Sequence, residues 1–138
     1  LRQQVEPVPA RDLARFTPRW QGLAGGARRA RGPAGLLRVV EQLAGAVMPA
    51  SAHETLVLPS RVDDWSPALL DELTSSGEVL WCGHGALPGD DGWVSLHLAD
   101  SAHLTLPPPT ELELTPVHDG VLQALGSGGA FFFRSLAV

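Results

Sequence analysis

Two hydrophobic periods divide the chain. From residue 33 to 77 apolar residues recur at helical spacing, and from residue 78 they gather in short β-prone runs separated by turn formers. The strongest stripe follows Pro33, where Leu36, Val40, Leu43 and Val47 recur at i, i+4, i+7 and i+11, widened by Leu37 and Ala44. Pro49 begins a second short helix, bounded by Pro59 because helices rarely pass the residue before proline. Ser66-Pro67 predicts a third helix: a hydroxyl to cap free amides, then the residue tolerated at the first helical position. Leu69, Leu70 and Leu73 supply its buried stripe, and Gly77 its left-handed stop.

The period then changes. Val79-Leu80-Trp81-Cys82 and Trp93-Val94-Ser95-Leu96-His97-Leu98 read as two strands joined across Gly85 to Gly92, a long hairpin loop that includes Asp90-Asp91-Gly92. Leu104-Thr105-Leu106 either adds a third strand or leaves the domain, and Pro107-Pro108-Pro109 acts as a semi-rigid spacer. Upstream, residues 1–10 with Pro7 and Pro9 form an extended lead-in. Arg11 to about Gln21 is helical, with Leu13, Phe16 and Trp20 on one face and Pro18 placed to kink or split it. Gly22 through Pro33 reads as a basic loop. Downstream, Thr115-Pro116 starts another helix with Val117, Val121, Leu122 and Leu125, closed by Gly126, and Ala130 to Leu136 begins one more apolar element.

Three helices followed by a hairpin is the layout of a winged helix, so the fold class is α+β. The organisation expected is a helical lead-in and basic loop over residues 1–32, a winged-helix domain over 33–106 and a Pro-rich linker over 107–114. Residues 115–138 then read as the first helices of a second, truncated winged-helix unit. A first residue other than Met and orphaned phenylalanines suit a piece of a longer array.

Composition narrows the classes. In 138 residues, 44% are apolar and 18% charged, enough to bury a core and too apolar for a disordered chain. No apolar run reaches the roughly 18–20 residues of a membrane span. The single cysteine, Cys82, excludes an internal disulfide and suits a reducing cytoplasm. Charge is sharply polarised. Every base is arginine, and eight of the ten fall in residues 1–38 against two carboxylates, a net of +6. Residues 39–138 carry two arginines against thirteen carboxylates, a net of −11. Contact with a polyanion therefore belongs at the N-terminal end, unless these arginines are a solvated helix face and loop.

Several strings also resemble one family. They are Arg15-Phe16-Thr17-Pro18-Arg19-Trp20-Gln21-Gly22, Leu36 to Gly45 (LLRVVEQLAG), Pro67 to Leu73 (PALLDEL), Gly77 to Gly85 (GEVLWCGHG) and Gly89-Asp90-Asp91-Gly92-Trp93. In combination they are similar to the large helicase-related (Lhr) proteins of actinobacteria, from about Arg11 to the C-terminus. The resemblance implies a place in the C-terminal region of a superfamily-2, ATP-dependent 3′-to-5′ DNA-repair helicase. That region is similar to an array of winged helices with a β-barrel like that of interstrand-crosslink DNA glycosylases. It also implies a bacterial, nucleoid-associated parent whose ATP and Mg belong to a motor outside these residues. Without any lysine the chain has no Walker-A lysine, and no Asp-Glu-x-His box or Gln-x-Gln pair occurs, so no catalytic residue is carried over.

Other candidate chemistry is sparse. Cys82 and His84 on one strand, with His97 and His103 beyond the turn, fall short of zinc spacing. Cys82 reads as a half-buried strand thiol, His53 and His118 as surface or packing residues, and Asp63-Asp64 and Glu111/Glu113 as loop acids. The third helix carries Asp71 and Glu72 and no base, so base reading by it is disfavoured. Trp93 near the wing tip could stack on a base, but burial against the helices is the commoner outcome for it and for Trp81. Trp20 reads as core and Trp65 as a staple-like contact before the Ser66 cap.

Two functions follow. In the first, a non-catalytic module positions DNA through Arg11, Arg15, Arg19, Arg28, Arg29, Arg31 and Arg38, with Trp93 as a candidate stacker. In the second, a structural or oligomerisation module docks neighbouring domains without touching DNA, motivated by the acidic third helix and Phe131–Phe133. The partners implied are single-stranded or tailed duplex DNA through the parent protein, adjacent domains and a second copy in a homo-oligomer, with no membrane.

Overall fold

A computed structural model describes residues 6–24, 29–108 and 113–126. The chain forms two compact units, Leu1–Thr105 and Leu106–Val138. In the first, α1 (Ala10–Trp20) precedes α2 (Gly32–Leu43), β1 (Met48–Pro49), α3 (Ala50–Ala52, continuing as a π-turn over His53–Val57) and α4 (Pro67–Ser75). The hairpin β2 (Val79–Leu87) and β3 (Asp91–Leu98) and a short α5 (Ala102–Thr105) complete it. The antiparallel sheet has the order β1-β3-β2, which with α2, α3 and α4 makes the winged helix expected from the sequence.

The core shows why these elements assemble. Leu36, Val39 and Val40 from α2 meet Leu58, Val62, Leu73, Val79 and Leu96, all buried in one cluster. Alternation along β3 sends Val94, Leu96 and Leu98 toward that cluster. The α2 stripe stops earlier than its spacing predicted: the helix ends at Leu43, and Val47 lies beyond it, exposed. Leu58 N–H bonds to the His53 carbonyl five residues back, and Trp65 Nε1–H donates to the Glu54 carbonyl at 3.1 Å. Buried His53 packs under the sheet, with Nε2 3.2 Å from the Val94 carbonyl.

Several expectations need correction. Pro18 does not split α1. The helix runs through it to Trp20, short of one amide-to-carbonyl bond at that position, and the Pro18 carbonyl accepts Leu23 N–H and Ala24 N–H at 2.8 and 3.1 Å. The Ser66 hydroxyl makes no capping bond, although Pro67 does open α4 and Gly77 (φ +78°) does end it. The hairpin loop is short, because pairing continues to Leu87↔Asp91 by way of a bulge between Gly83 and Gly85. Residues 102–105 are helical instead of a third strand, and that place in the sheet is taken by β1, pairing Met48↔Val94 and Pro49↔Trp93. Trp81 and Trp93 are 66% and 40% exposed rather than buried. The helices cover only the start of β2, at Val79, and Trp93 lies on the sheet face opposite Val94.

That opposite face carries a polar chain unlike the rest of the interior. Ser95 Oγ lies 2.7 Å from both His84 Nε2 and His97 Nε2, and His97 Nδ1 lies 2.8 Å from Thr105 Oγ1. Ser95 and His97 are fully buried. One hydroxyl proton serves two imidazoles, so neutral rings with complementary tautomers satisfy the chain, whereas two imidazoliums leave the Ser95 proton without an acceptor. Burial, and secondarily the neighbouring His84 charge, hold the His97 imidazole below its usual range. Gly45 (φ +77°) closes over this site; a Cβ there would sit 3.3 Å from the Thr105 carbonyl oxygen and 4.0 Å from His97 Cε1.

In the second unit, α6 (Pro116–Gly126) begins at a reciprocal cap. Thr115 N–H donates to His118 Nδ1 at 3.1 Å while His118 N–H approaches Thr115 Oγ1 at 3.5 Å, a capping box with imidazole in place of a carboxylate. The apolar element expected over residues 130–136 lies outside the described residues.

Two outcomes are expected. His97 binds protons less readily folded than unfolded, so stability is full above its ordinary value of about 6.5 and falls as pH drops below it. Urea titrations between about pH 7.5 and 5.5 should show that loss, and His97→Gln should flatten it. Gly45→Ala, forced into a left-handed backbone against the Thr105 carbonyl, should cost about 1–3 kcal/mol in the same assay.

Candidate nucleic-acid interface

Three of the sequence-predicted arginines meet at an open groove between the end of α1, residues 29–31 and α2. Its volume is about 890 Å³, and Arg29, Arg31, Arg38 and Arg61 line it together with Trp20, Gln21, Glu41 and Gln42. Four guanidiniums face one carboxylate, so the groove is cationic.

Backbone geometry places each cation. Ala30 makes a parallel bridge to Val62, with Ala30 N–H donating to the Arg61 carbonyl and Asp63 N–H donating to the Ala30 carbonyl, each at 2.9 Å. Ala30 packs against the core, so the strand alternation turns Arg29 and Arg31 away from it. On α2, Arg38, Glu41 and Gln42 share a face by their i, i+3, i+4 spacing. Both Asp64 carboxylate oxygens accept Gly32 N–H, at 3.0 and 3.2 Å, and complement the amino end of α2 from 32 residues away. Asp63 lies 3.8 Å from Arg31, an exposed contact of little strength. Asp64 thus supports the groove through its carboxylate and Asp63 through its backbone amide.

Arg61 is the most firmly held cation. Its Nη1 donates to the Val57 carbonyl and Ser60 Oγ at 3.0 and 3.2 Å, and its Nη2 donates to Gln21 Oε1 at 3.1 Å. Its Nε is buried and makes no hydrogen bond. Burial lowers the Arg61 pKa, but a guanidinium stays protonated throughout the physiological range. Gln42 Nε2–H donates to the Trp20 carbonyl at 2.6 Å, so α1 is fastened at its C-terminal end by Gln42 and Arg61. Trp20 itself is 62% exposed, and its ring stacks on Phe16, 54% exposed, with centroids 5.6 Å apart.

The predicted arginines therefore separate. Arg29, Arg31 and Arg38 converge; Arg11, Arg15 and Arg19 form a separate exposed stripe along α1 and do not line the groove. Arg28 lies outside the described residues. Trp93 sits in β3 opposite Gly85 and Pro49, away from the groove lining. Arg61 was missed because it belongs to the acidic part of the sequence, and no local signal there foretells the bridge that brings it beside Ala30. Trp20 was expected in the core, but no residue of α1 is buried.

Other titratable groups remain apart. Among the described residues, no three His, Cys, Asp or Glu side chains come together as a metal site. Asp91 accepts Ser51 Oγ–H at 2.6 Å and the amides of Ser51 and Gly92, which hold its carboxyl below the usual range and tie the hairpin to α3. Cys82 is partly exposed and engages only its neighbour's carbonyl, 3.6 Å from Gly83 O.

Comparison with known proteins gives the family context. A family model described as "Large helicase-related protein, winged-helix domain" matches residues 8–99. The chain is 54% identical over 136 residues to a Mycolicibacterium smegmatis protein named "Lhr helicase/ probable uracil glycosylase", covering 99% of this chain and 9% of that protein. It is 39% identical over 105 residues to the Escherichia coli "Lhr helicase/uracil glycosylase", covering 75% of this chain and 7% of that one. The chain thus spans less than a tenth of these relatives.

Asp64→Ala removes the hydrogen-bond acceptor that fixes the start of α2 beside the groove. It should lower stability by about 1 kcal/mol in urea titration, with Asp64→Asn retaining most of the loss-free value.

Proposed function

The chain belongs to the winged-helix domain family of the large helicase-related proteins, and on that footing we propose that it is a non-catalytic module that positions DNA. The observation that supports this reading is the convergence of Arg29, Arg31, Arg38 and Arg61 on one groove. Guanidiniums suit phosphodiesters because they donate in a planar fork, and phosphate neutralisation is the sequence-independent source of affinity. The third winged-helix helix carries exposed Asp71 and Glu72, which repel a phosphate wall, so contact moves from α4 to the groove. ATP and Mg are assigned to a motor elsewhere in the parent protein: with no lysine, this chain has no residue to play the P-loop role.

A second reading, a docking module for neighbouring domains, draws on a different observation. The apolar side of α1 is exposed at Leu13, Phe16 and Trp20. The two readings separate on salt: phosphate contacts weaken steeply as ionic strength rises, whereas apolar docking does not.

Replacing Arg29, Arg31 and Arg38 together by Ala tests the first reading. Binding of a labelled, tailed duplex should weaken, and the slope of log K against log salt should become shallower by about 2–3, because each lost phosphate contact contributes about 0.7–0.9. Equal affinity and slope for the variant and the parent chain would remove the groove from DNA binding.

A further inference from the structure

Resting on the groove reading above, we propose that the Phe16–Trp20 pair is a base-stacking platform and that the groove takes single-stranded nucleic acid, one base on Trp20 and the adjoining phosphates on the arginines. Two independent features support it. One is the cationic groove; the other is a stacked aromatic pair, 62% and 54% exposed, whose Trp20 is part of that groove's lining. Aromatic faces beside a basic track are the physical basis of single-strand binding, because every base has a π-face while a duplex keeps those faces covered.

Local anchoring makes the platform rigid. The Gln42 amide holds the Trp20 carbonyl, Arg61 holds the Gln21 side chain, and Gly22 (φ +68°) ends the helix with Gly22 N–H on the Arg19 carbonyl and Leu23 N–H on that of Pro18. Phe16 lies one turn behind Trp20 and supports the face of its ring turned from the incoming base. Gln42 and Arg61, which fasten this end of α1, both line the groove. The acidic α4 argues in the same direction, since a duplex laid across the winged-helix face would meet Asp71 and Glu72.

The experiment titrates the chain with a fluorescently labelled oligo(dT) and with a blunt duplex of equal length, at low and moderate salt. Trp20→Ala should weaken oligo(dT) binding about 5- to 150-fold, the range for loss of one stacked base, while leaving the salt slope unchanged. Trp20→Phe should restore most of the affinity, and duplex binding should not respond to either variant. Trp20 is outside the core, so both variants should keep the parent circular dichroism and melting curve. If Trp20→Ala binds oligo(dT) like the parent chain while the triple arginine variant is weakened, the platform is refuted and the groove reading stands. If the parent chain itself binds neither nucleic acid at low salt, both fall.

Discussion

Two backbone hydrogen bonds, from Ala30 N–H to the Arg61 carbonyl and from Asp63 N–H to that of Ala30, organise the functional side of the molecule. They join segments more than 30 residues apart, and side chains on both segments inherit their positions from them. Ala30 faces the core, Arg29 and Arg31 face the groove, and Arg61 swings under the end of α1. Two residues further along each segment from the Ala30–Val62 bridge lies the Asp64–Gly32 contact that begins α2. A backbone pairing of this kind resists surface substitution better than the exposed Arg31–Asp63 ion pair beside it, which is worth little in water.

The core and the groove use separate residues. Leu36, Val39 and Val40 hold α2 against the sheet, while Arg38, Glu41 and Gln42 face outward from the same helix. Val39 and Ala30 belong to both, each packing with the core while lining the groove. Changes of charge along the groove therefore leave the packing of the winged helix intact, which is the condition for assigning a lost affinity to the contact itself.

Much of the fold was legible because its signals are local. Helical spacing after Pro33 as far as Leu43, the proline at the start of α4, the stop at Gly77 and the alternation of β3 each depend on a few neighbouring residues and hold, whereas Val47 falls beyond the helix. What was illegible depends on distant partners. The sequence around Ser66 has the form of a cap, but the hydroxyl finds no amide, whereas Asp64 caps a helix that begins 32 residues earlier. The tryptophans were assigned by average behaviour, and tertiary coverage decided otherwise: no helix reaches Trp81, and α1 turns Trp20 outward. Of the candidate site, charge polarity located the basic half of the chain, but only folding divided Arg29, Arg31 and Arg38 from the α1 stripe and added Arg61.

The imidazole–hydroxyl chain on the back of the wing ends at Thr105, the last residue of the first unit. Departure of the polypeptide toward residue 106 is consequently riveted to the sheet through His97 and Ser95, and hemmed by Gly45 at the turn after α2. The wing's inner strand thus doubles as the anchorage for the exit of the chain.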